Sequence, residues 1–395
     1  MKVNSQLPID PATASQVSPE ELRVRTFRSA ECLPDVWDQL GGGDLFLSRS
    51  YLRALQSAPP QEMTFAYFLF LKADTPAGIA YAQLLPFDAS KNIQSLEPKS
   101  LKRCLARALR FRLLVCGNLL LSGQHAFRFS PEVEDPIRHL AVALQDFADL
   151  EGIPGILIKD IPRLRLRGGN PFQTFGFHRS AFQPNMVLEI PHAWRQFSDY
   201  LAAMSSKYRV RARRARRRVA GIERRTLSSA QIVRKADSLY ALYQEVASEA
   251  DVNMLELHPD YLPNLASAFP ERFRLTGYFK GGDLIGYRSS LENGEEREAH
   301  FLGFRRSENR PYDLYLNMLY DMVEEAIQGG QKRVVFSRTA LEIKSSVGAE
   351  PEEMLLFLHA RLAWFNPLIP LLVDWLEPRA VWQRRHPFRQ RDPAT

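Results

Sequence analysis

Two stretches of this chain read alike: Phe65-Ala-Tyr-Phe-Leu-Phe-Leu-Lys72-Ala-Asp74-Thr-Pro-Ala-Gly78-Ile-Ala-Tyr81 and Phe273-Arg-Leu-Thr-Gly-Tyr278-Phe279-Lys280-Gly-Gly-Asp283-Leu-Ile-Gly286-Tyr287. Lys72 to Lys280 and Gly78 to Gly286 share one spacing of 208 residues. Each stretch is an aromatic and apolar run, a short polar turn and a second run, the pattern of a β-hairpin.

Each copy then continues in the same order. A helix with apolar periodicity over about Pro136–Glu151 precedes a buried strand, Gly155–Lys159. Its counterpart runs over about Tyr312–Gln328, closed by Gly329-Gly330, and precedes Arg333–Ser337. Pairing Ile156 with Val334 lowers the spacing to 178, so the first copy carries about 30 extra residues before its helix, placed around Ser90–Arg112. The shared order predicts a duplicated α/β (α+β) unit: two tandem domains, each a mixed, mainly antiparallel sheet flanked by helices. The expected division is a disordered polar N-terminus over 1–20, a first domain over 21–185, a second over 186–360 and an amphipathic C-terminal segment and tail over 361–395. Pro184 and Pro191 punctuate the boundary.

The whole chain fits two ordinary domains: 395 residues, 45% apolar and 25% charged. No run of about 18 apolar residues is present, which excludes a transmembrane helix, and no signal peptide precedes the first domain. Cys32, Cys104 and Cys116 fit neither a disulfide framework nor a zinc site. A cytoplasmic location is expected.

The net charge of +7 is local. Between Lys207 and Arg225 lie ten basic residues and one acid, Glu223, which leaves the remainder slightly acidic. This is no DNA-binding coat. Tyr208, Ala212, Ala215, Val219 and Ile222 step by four and three, one apolar stripe on a helix that Ser205 or Ser206 starts. The opposite face is crowded with arginine, and like charges on one helix repel. An anionic partner (donor phosphates, acidic lipid headgroups or RNA) relieves that repulsion; a plainly solvated face is the alternative.

Hairpin, third strand, helix, strand is the core order of the GNAT (Gcn5-related) acyltransferase superfamily, which the chain resembles over roughly residues 40–390. Two units in tandem resemble its Fem-type branch. Ser205-Ser206-Lys207-Tyr208-Arg209 is similar to the Lys-x-x-Arg region of that branch, which implies substrate binding by Lys207 and Arg209. The segment from Arg338 to Pro351 resembles bacterial predicted N-acyltransferases, the group that includes bacterial ceramide synthases. The acetyltransferase signature Gln/Arg-x-x-Gly-x-Gly/Ala is absent; Arg305-Arg306-Ser307-Glu308-Asn309-Arg310 stands in its place.

In the fold this resemblance implies, the acyl donor lies where the strand before the long helix parts from its neighbour. Arg305, Arg306, Arg310 and Tyr312 surround that helix start, with Pro311 in its first turn, and are the candidate donor-phosphate residues. His300, on the strand Glu298–Phe304, and Glu342 are the candidate proton acceptors. Arg338 and Lys344 are candidates for holding an acidic headgroup or the thioester oxygen, with Asn118 and Lys159 lining the cleft from the first half. A structural histidine, surface ion pairs and a buried inert Cys116 are the plainer readings of these residues.

Leu362–Leu376, rich in Trp and Leu with flanking arginines, suits a membrane interface or packing on the second domain. With the amphipathic stretch Lys102–Leu114 it favours a lipid substrate. The leading expectation is an N-acyltransferase without a bound cofactor or metal. It takes its acyl group from acyl-CoA or acyl carrier protein to a lipid-like amine such as a sphingoid base, peripheral on the inner membrane face. Alternatives are Fem-type aminoacyl transfer from charged tRNA, for which Ser206–Gly221 offers only one helix of the expected arm, and a non-enzymatic RNA- or membrane-binding adaptor.

Overall fold

The computed structural model describes residues 21–88, 110–166, 169–181, 183–248, 255–361 and 382–389. The N-terminal 1–20, the inserted stretch 89–109 with Cys104, and the amphipathic segment 362–376 lie outside the described residues; Arg110–Leu114 belongs to a strand.

The first half comprises β1 (Arg23–Phe27), α1 (Val36–Gly41), α2 (Arg49–Ser57), β2 (Thr64–Lys72), β3 (Thr75–Asp88), β4 (Arg110–Cys116), β5 (Phe127–Phe129), α3 (Pro136–Leu150), β6 (Gly155–Pro162) and β7 (His178–Ala181). The second comprises β8 (Asn185–Glu189), α4 (Phe197–Ala203), α5 (Ser206–Arg218), β9 (Glu223–Thr226), α6 (Ser229–Arg234), α7 (Ala236–Ala247), α8 (Tyr261–Ala268), β10 (Phe273–Lys280), β11 (Asp283–Asn293), β12 (Glu296–Phe304), α9 (Arg306–Tyr312), α10 (Leu314–Gln328), β13 (Arg333–Val335), α11 (Leu341–Ser346), β14 (Glu350–Glu352) and β15 (Met354–Ala360).

Two sheets form, ordered β1-β2-β3-β4-β6-β15-β7, with β5 on β3, and β14-β8-β13-β12-β11-β10-β9. Pairing is antiparallel throughout except for β4 with β6 and β12 with β13. Both expected hairpins are present, and their registers match in detail. The β2–β3 ladder shifts between Phe70 and Leu71, and the β10–β11 ladder between Tyr278 and Phe279, 208 residues later. The helices α3 and α10 are both 15 residues long and begin 178 residues apart, each entered through an aspartate in the left-handed region, Asp135 at φ 45° and Asp313 at φ 46°.

The chain changes sheets twice. Between Ala181 and Asn185 it leaves the first sheet for the second. After β14 it returns, and β15 inserts between β6 and β7. The strand Met354–Ala360, within the stretch assigned from sequence to the second domain, therefore completes the first sheet.

Apolar spacing accounts for the helices. On α3, Leu140, Ala141, Leu144, Phe147 and Ala148 form one buried face. α10 is buried almost all round, because a sheet covers one side and α4 and α5 the other. One expectation is corrected here. Pro311 does not open the long helix; it lies inside α9, and the chain breaks at Asp313 before α10 starts at Leu314. Pro311 removes one backbone donor from α9, but the break itself is the left-handed Asp313, a conformation that ends an α-helix, so the segment splits in two.

Candidate active site at the junction of the two halves

The strands β12 and β13 are paired over only three steps, Glu296 with Arg333, Arg297 with Val334 and Glu298 with Val335. Beyond Glu298, β12 runs on to Phe304. β13 ends at Val335, and the chain turns away through Ser337, Thr339 and Ala340, all at positive φ. The second sheet thus opens immediately after Glu298. The first half pairs one step further, to Cys116 with Ile158, and fills the gap beyond it itself. Where His300 stands in the second half, the first has Gly117 at φ 146°, and a Cβ there would lie 2.1 Å from Lys159 Cγ. Lys159 crosses this point, and its Nζ donates to the carbonyls of Asn118 at 2.8 Å and Leu121 at 3.0 Å and pairs with Asp160. Burial, with the Arg338 charge nearby, holds this lysine well below its ordinary pKa.

The open junction of the second half faces the first half. Asp44 accepts from Asn293 Nδ2 at 3.1 Å and bonds His125 Nδ1 at 2.8 Å. Burial works against a charged His125, but the hydrogen bond and charge of Asp44 overcome it, so the imidazole lies above its ordinary value. Glu298 is buried in the same neighbourhood. Burial pushes its carboxyl up to about 8, with Glu296 and Asp44 adding to the rise and His125 opposing it. A carboxyl poised there can accept a proton near neutral pH.

Beside it, a hydrogen-bonded chain crosses between the halves. The Leu119 amide donates to Gln83 Oε1 and the Leu120 amide to Asn118 Oδ1, at 2.8 and 2.9 Å. Those backbone donors fix both side-chain amides, so Asn118 Nδ2 must donate, and it does so to Tyr51 Oη at 2.8 Å. Tyr51 and Tyr261 hydroxyls lie 3.1 Å apart, and Tyr261 Oη is 2.9 Å from His300 Nε2. With each hydroxyl donating onward, Nε2 accepts and Nδ1 carries the proton. That Nδ1 is shielded from solvent and has no partner among the described residues. Burial lowers the ring's pKa to about 3, which keeps it neutral.

On the β13 side, Arg338 Nε donates to the Gln183 carbonyl at 3.0 Å, and its guanidinium pairs with buried Asp160 of the first half. Ser122 and Ser337 hydroxyls meet at 2.7 Å. Lys344 is buried, its Nζ donating to the carbonyls of Ser337 and Arg338, and burial lowers it to about 7.

Of the residues singled out from sequence, the structure therefore gathers His300, Asn118, Lys159, Arg338 and Lys344 around one junction. Arg305, the cap residue of α9, and Arg306 and Arg310 on it are exposed, with Tyr312 half-buried at its end. The Arg306 amide donates to Glu245 Oε2 at 3.0 Å, so a carboxylate of this chain already occupies that helix start. Glu342 sits on α11, with Arg385 Nε donating to it at 3.0 Å, and Lys207 and Arg209 lie on the first turn of α5. Glu298 was not singled out. Its alternation with His300 was visible, but the Asp44 and His125 charges that act on it come from the first half of the chain.

Residues 206–345 match the family model of the acetyltransferase (GNAT) domain. No curated protein matches the sequence significantly. Among solved structures, the chain is similar to a tandem GNAT protein from the clavulanic acid biosynthesis pathway, at 13% identity and TM-score 0.50, covering 86% of this chain and 98% of that one. It is likewise similar to FemX, at 11% identity and TM-score 0.50, covering 86% and 99%. With two matching halves whose parallel strand pairs part within one step of each other, this chain has the tandem GNAT fold, and its residues 206–345 are similar to the acetyltransferase (GNAT) domain.

Proposed function

We propose that the chain is an N-acyltransferase whose single working site is the open junction of the second half. The observation that carries this reading is Glu298, a buried carboxyl pushed up to about 8 at the step where β12 and β13 part. The acyl donor, acyl-CoA or acyl carrier protein, enters this opening, its phosphates held by the side chains of Arg305, Arg306, Arg310 and Tyr312 rather than by the helix start that Glu245 occupies. The amine nitrogen attacks the thioester carbonyl, the N–C bond forms and the C–S bond breaks. Glu298 takes the amine proton, and the sulfur leaves as thiolate to become the free thiol. The Nδ1–H of His300 is the donor left for the carbonyl oxygen, whose charge grows as the tetrahedral intermediate forms. A ring held neutral by burial is a poor base and a good neutral donor, so proton removal is assigned to Glu298 rather than to His300 or Glu342. Arg338 and Lys344 hold the wall against the first half.

The acceptor is a lipid-like amine. Val210, 58% exposed, lies on α5 among Lys207, Arg213, Arg214 and Arg217, a face suited to an anionic membrane surface. Among the described residues no helix is long and apolar enough to cross a membrane. The experiment is incubation with long-chain acyl-CoA and sphinganine, following thiol release and the N-acyl product by mass spectrometry. Thiol release that depends on the amine supports the proposal; no amide with any long-chain donor rejects the lipid amine. The same arginine face favours a second reading, aminoacyl transfer from charged tRNA, which retention of charged tRNA with a steep salt dependence would support.

A further inference from the structure

A cavity of about 380 Å³ lies away from the junction, between the start of α5, α11 and the C-terminal segment 382–389. Its walls are Lys207, Tyr208, Arg211, Glu342, Ile343, Ser346 and Arg385. Lys207 and Arg211 stand four apart on one face of α5, the spacing at which like charges repel. Arg385 approaches from the opposite wall and is engaged by Glu342, the one acid of the lining. Neither Lys207 nor Arg211 has a carboxylate partner among the described residues, although Arg216 and Arg218 further along the same helix are both ion-paired. The helix therefore satisfies its later arginines internally and turns two uncompensated cations into a concave space. Tyr208 and Ile343 supply apolar wall beside them.

We propose that this cavity is a binding site for a phosphate ester: the phosphate lies between Lys207, Arg211 and Arg385, and the adjoining organic portion against Tyr208 and Ile343. Guanidinium forks match phosphate oxygens in pairs, and a lysine adds a point charge. The site adjoins the junction through one short helix. Lys344 of α11 caps the Ser337 and Arg338 carbonyls on one side, while Glu342, Ile343 and Ser346 line the cavity on the other. A ligand here bears on α11 without occupying the acyl-transfer opening.

The ester is carried either by a lipid headgroup or by a free molecule, and the test separates the two. Calorimetry of the full chain with phenyl phosphate and with inorganic phosphate is compared with flotation on phosphatidylcholine vesicles with and without phosphatidate. Phenyl phosphate is expected to bind more tightly than inorganic phosphate, and Arg211→Ala and Lys207→Ala each to weaken it about tenfold. Arg234→Ala, which removes an exposed charge on α6 outside the cavity, should leave that affinity unchanged. Selective loss of phosphatidate-dependent flotation in Arg211→Ala, without phenyl phosphate binding, assigns the site to a lipid headgroup; the converse assigns it to a soluble ester. The proposal falls if neither probe binds, if Arg211→Ala binds as wild type, or if the Arg234→Ala control loses as much as the cavity variants. Circular dichroism of each variant verifies the fold. Binding is read without turnover, so failure of the acyl-transfer reading leaves this test intact.

Discussion

Glu298 and His300 stand two residues apart on one strand, and burial drives them in opposite senses. It raises the carboxyl to about 8 and lowers the imidazole to about 3, because in each case the charged form is the one penalised. Acyl transfer is therefore expected to rise with pH along a limb centred near 8 in kcat/KM. Glu298→Gln should lower turnover by at least about 100-fold and remove that limb. An unchanged pH profile in the variant would reassign the base. The same group makes a prediction about stability. Its folded pKa lies above the unfolded one, so the unfolded chain ionises first as pH rises from the ordinary glutamate range towards 8. Over that window wild type loses stability relative to Glu298→Gln, and above it the difference levels off. Thermal midpoints of the two proteins across that range check the sign.

At the scale of elements, the basic helix α5 resolves into two parts. Arg216 pairs with Asp321 and Glu324 of α10, Arg218 with Asp313, and Arg224 of β9 with Asp321. Tyr278 Oη also donates to Asp321 at 2.5 Å. Burial would raise the Asp321 carboxyl, but Arg216, Arg288 and Arg224 outweigh it and hold it below its ordinary value. Its stabilising contribution is thus present above the ordinary aspartate range and lost as pH falls through the folded value. Asp321→Ala should cost about 3–5 kcal/mol in urea unfolding, because the arginines are left without their acid. Arg213→Ala, on the exposed face, should move stability by less than about 0.5 kcal/mol. The apolar stripe that locates this helix was legible from sequence: Ala212 and Ala215 are fully buried. Which arginines are neutralised was not legible, since the acids come from an element 100 residues downstream. The same limit applies to β15. Sequence position places it with the second domain, and nothing local states which sheet has a place for it. Around α10 the sequence pattern places the helix start at about Tyr312, and the left-handed Asp313 moves that start to Leu314.

For the whole molecule, two like halves leave two sheets whose parallel strands part within one step of each other, one crossed by Lys159 over Gly117 and one parting after Glu298. The hairpins and the 178-residue spacing made the repeat legible, because they are local patterns copied intact. The junction was not, since its groups are paired across the two halves. The first half has its own gap filled by Lys159 and orients a residue of the other, through Asn118, Tyr51 and Tyr261 to His300. Tyr51 touches none of the reacting atoms in this account; it is a positioning residue. Tyr51→Phe removes the hydroxyl that accepts from Asn118 and donates to Tyr261. Tyr261 can then take its proton from His300 Nε2, and the other tautomer becomes available. Turnover should fall about tenfold with KM little changed, in the range expected when a supporting hydrogen bond to an active-site histidine is lost. The decisive arm is the His300→Ala background, where the same substitution should cost nothing further in kcat. A purely structural Tyr51 would lower turnover equally in both backgrounds, and that outcome would separate the first half from the chemistry of the second.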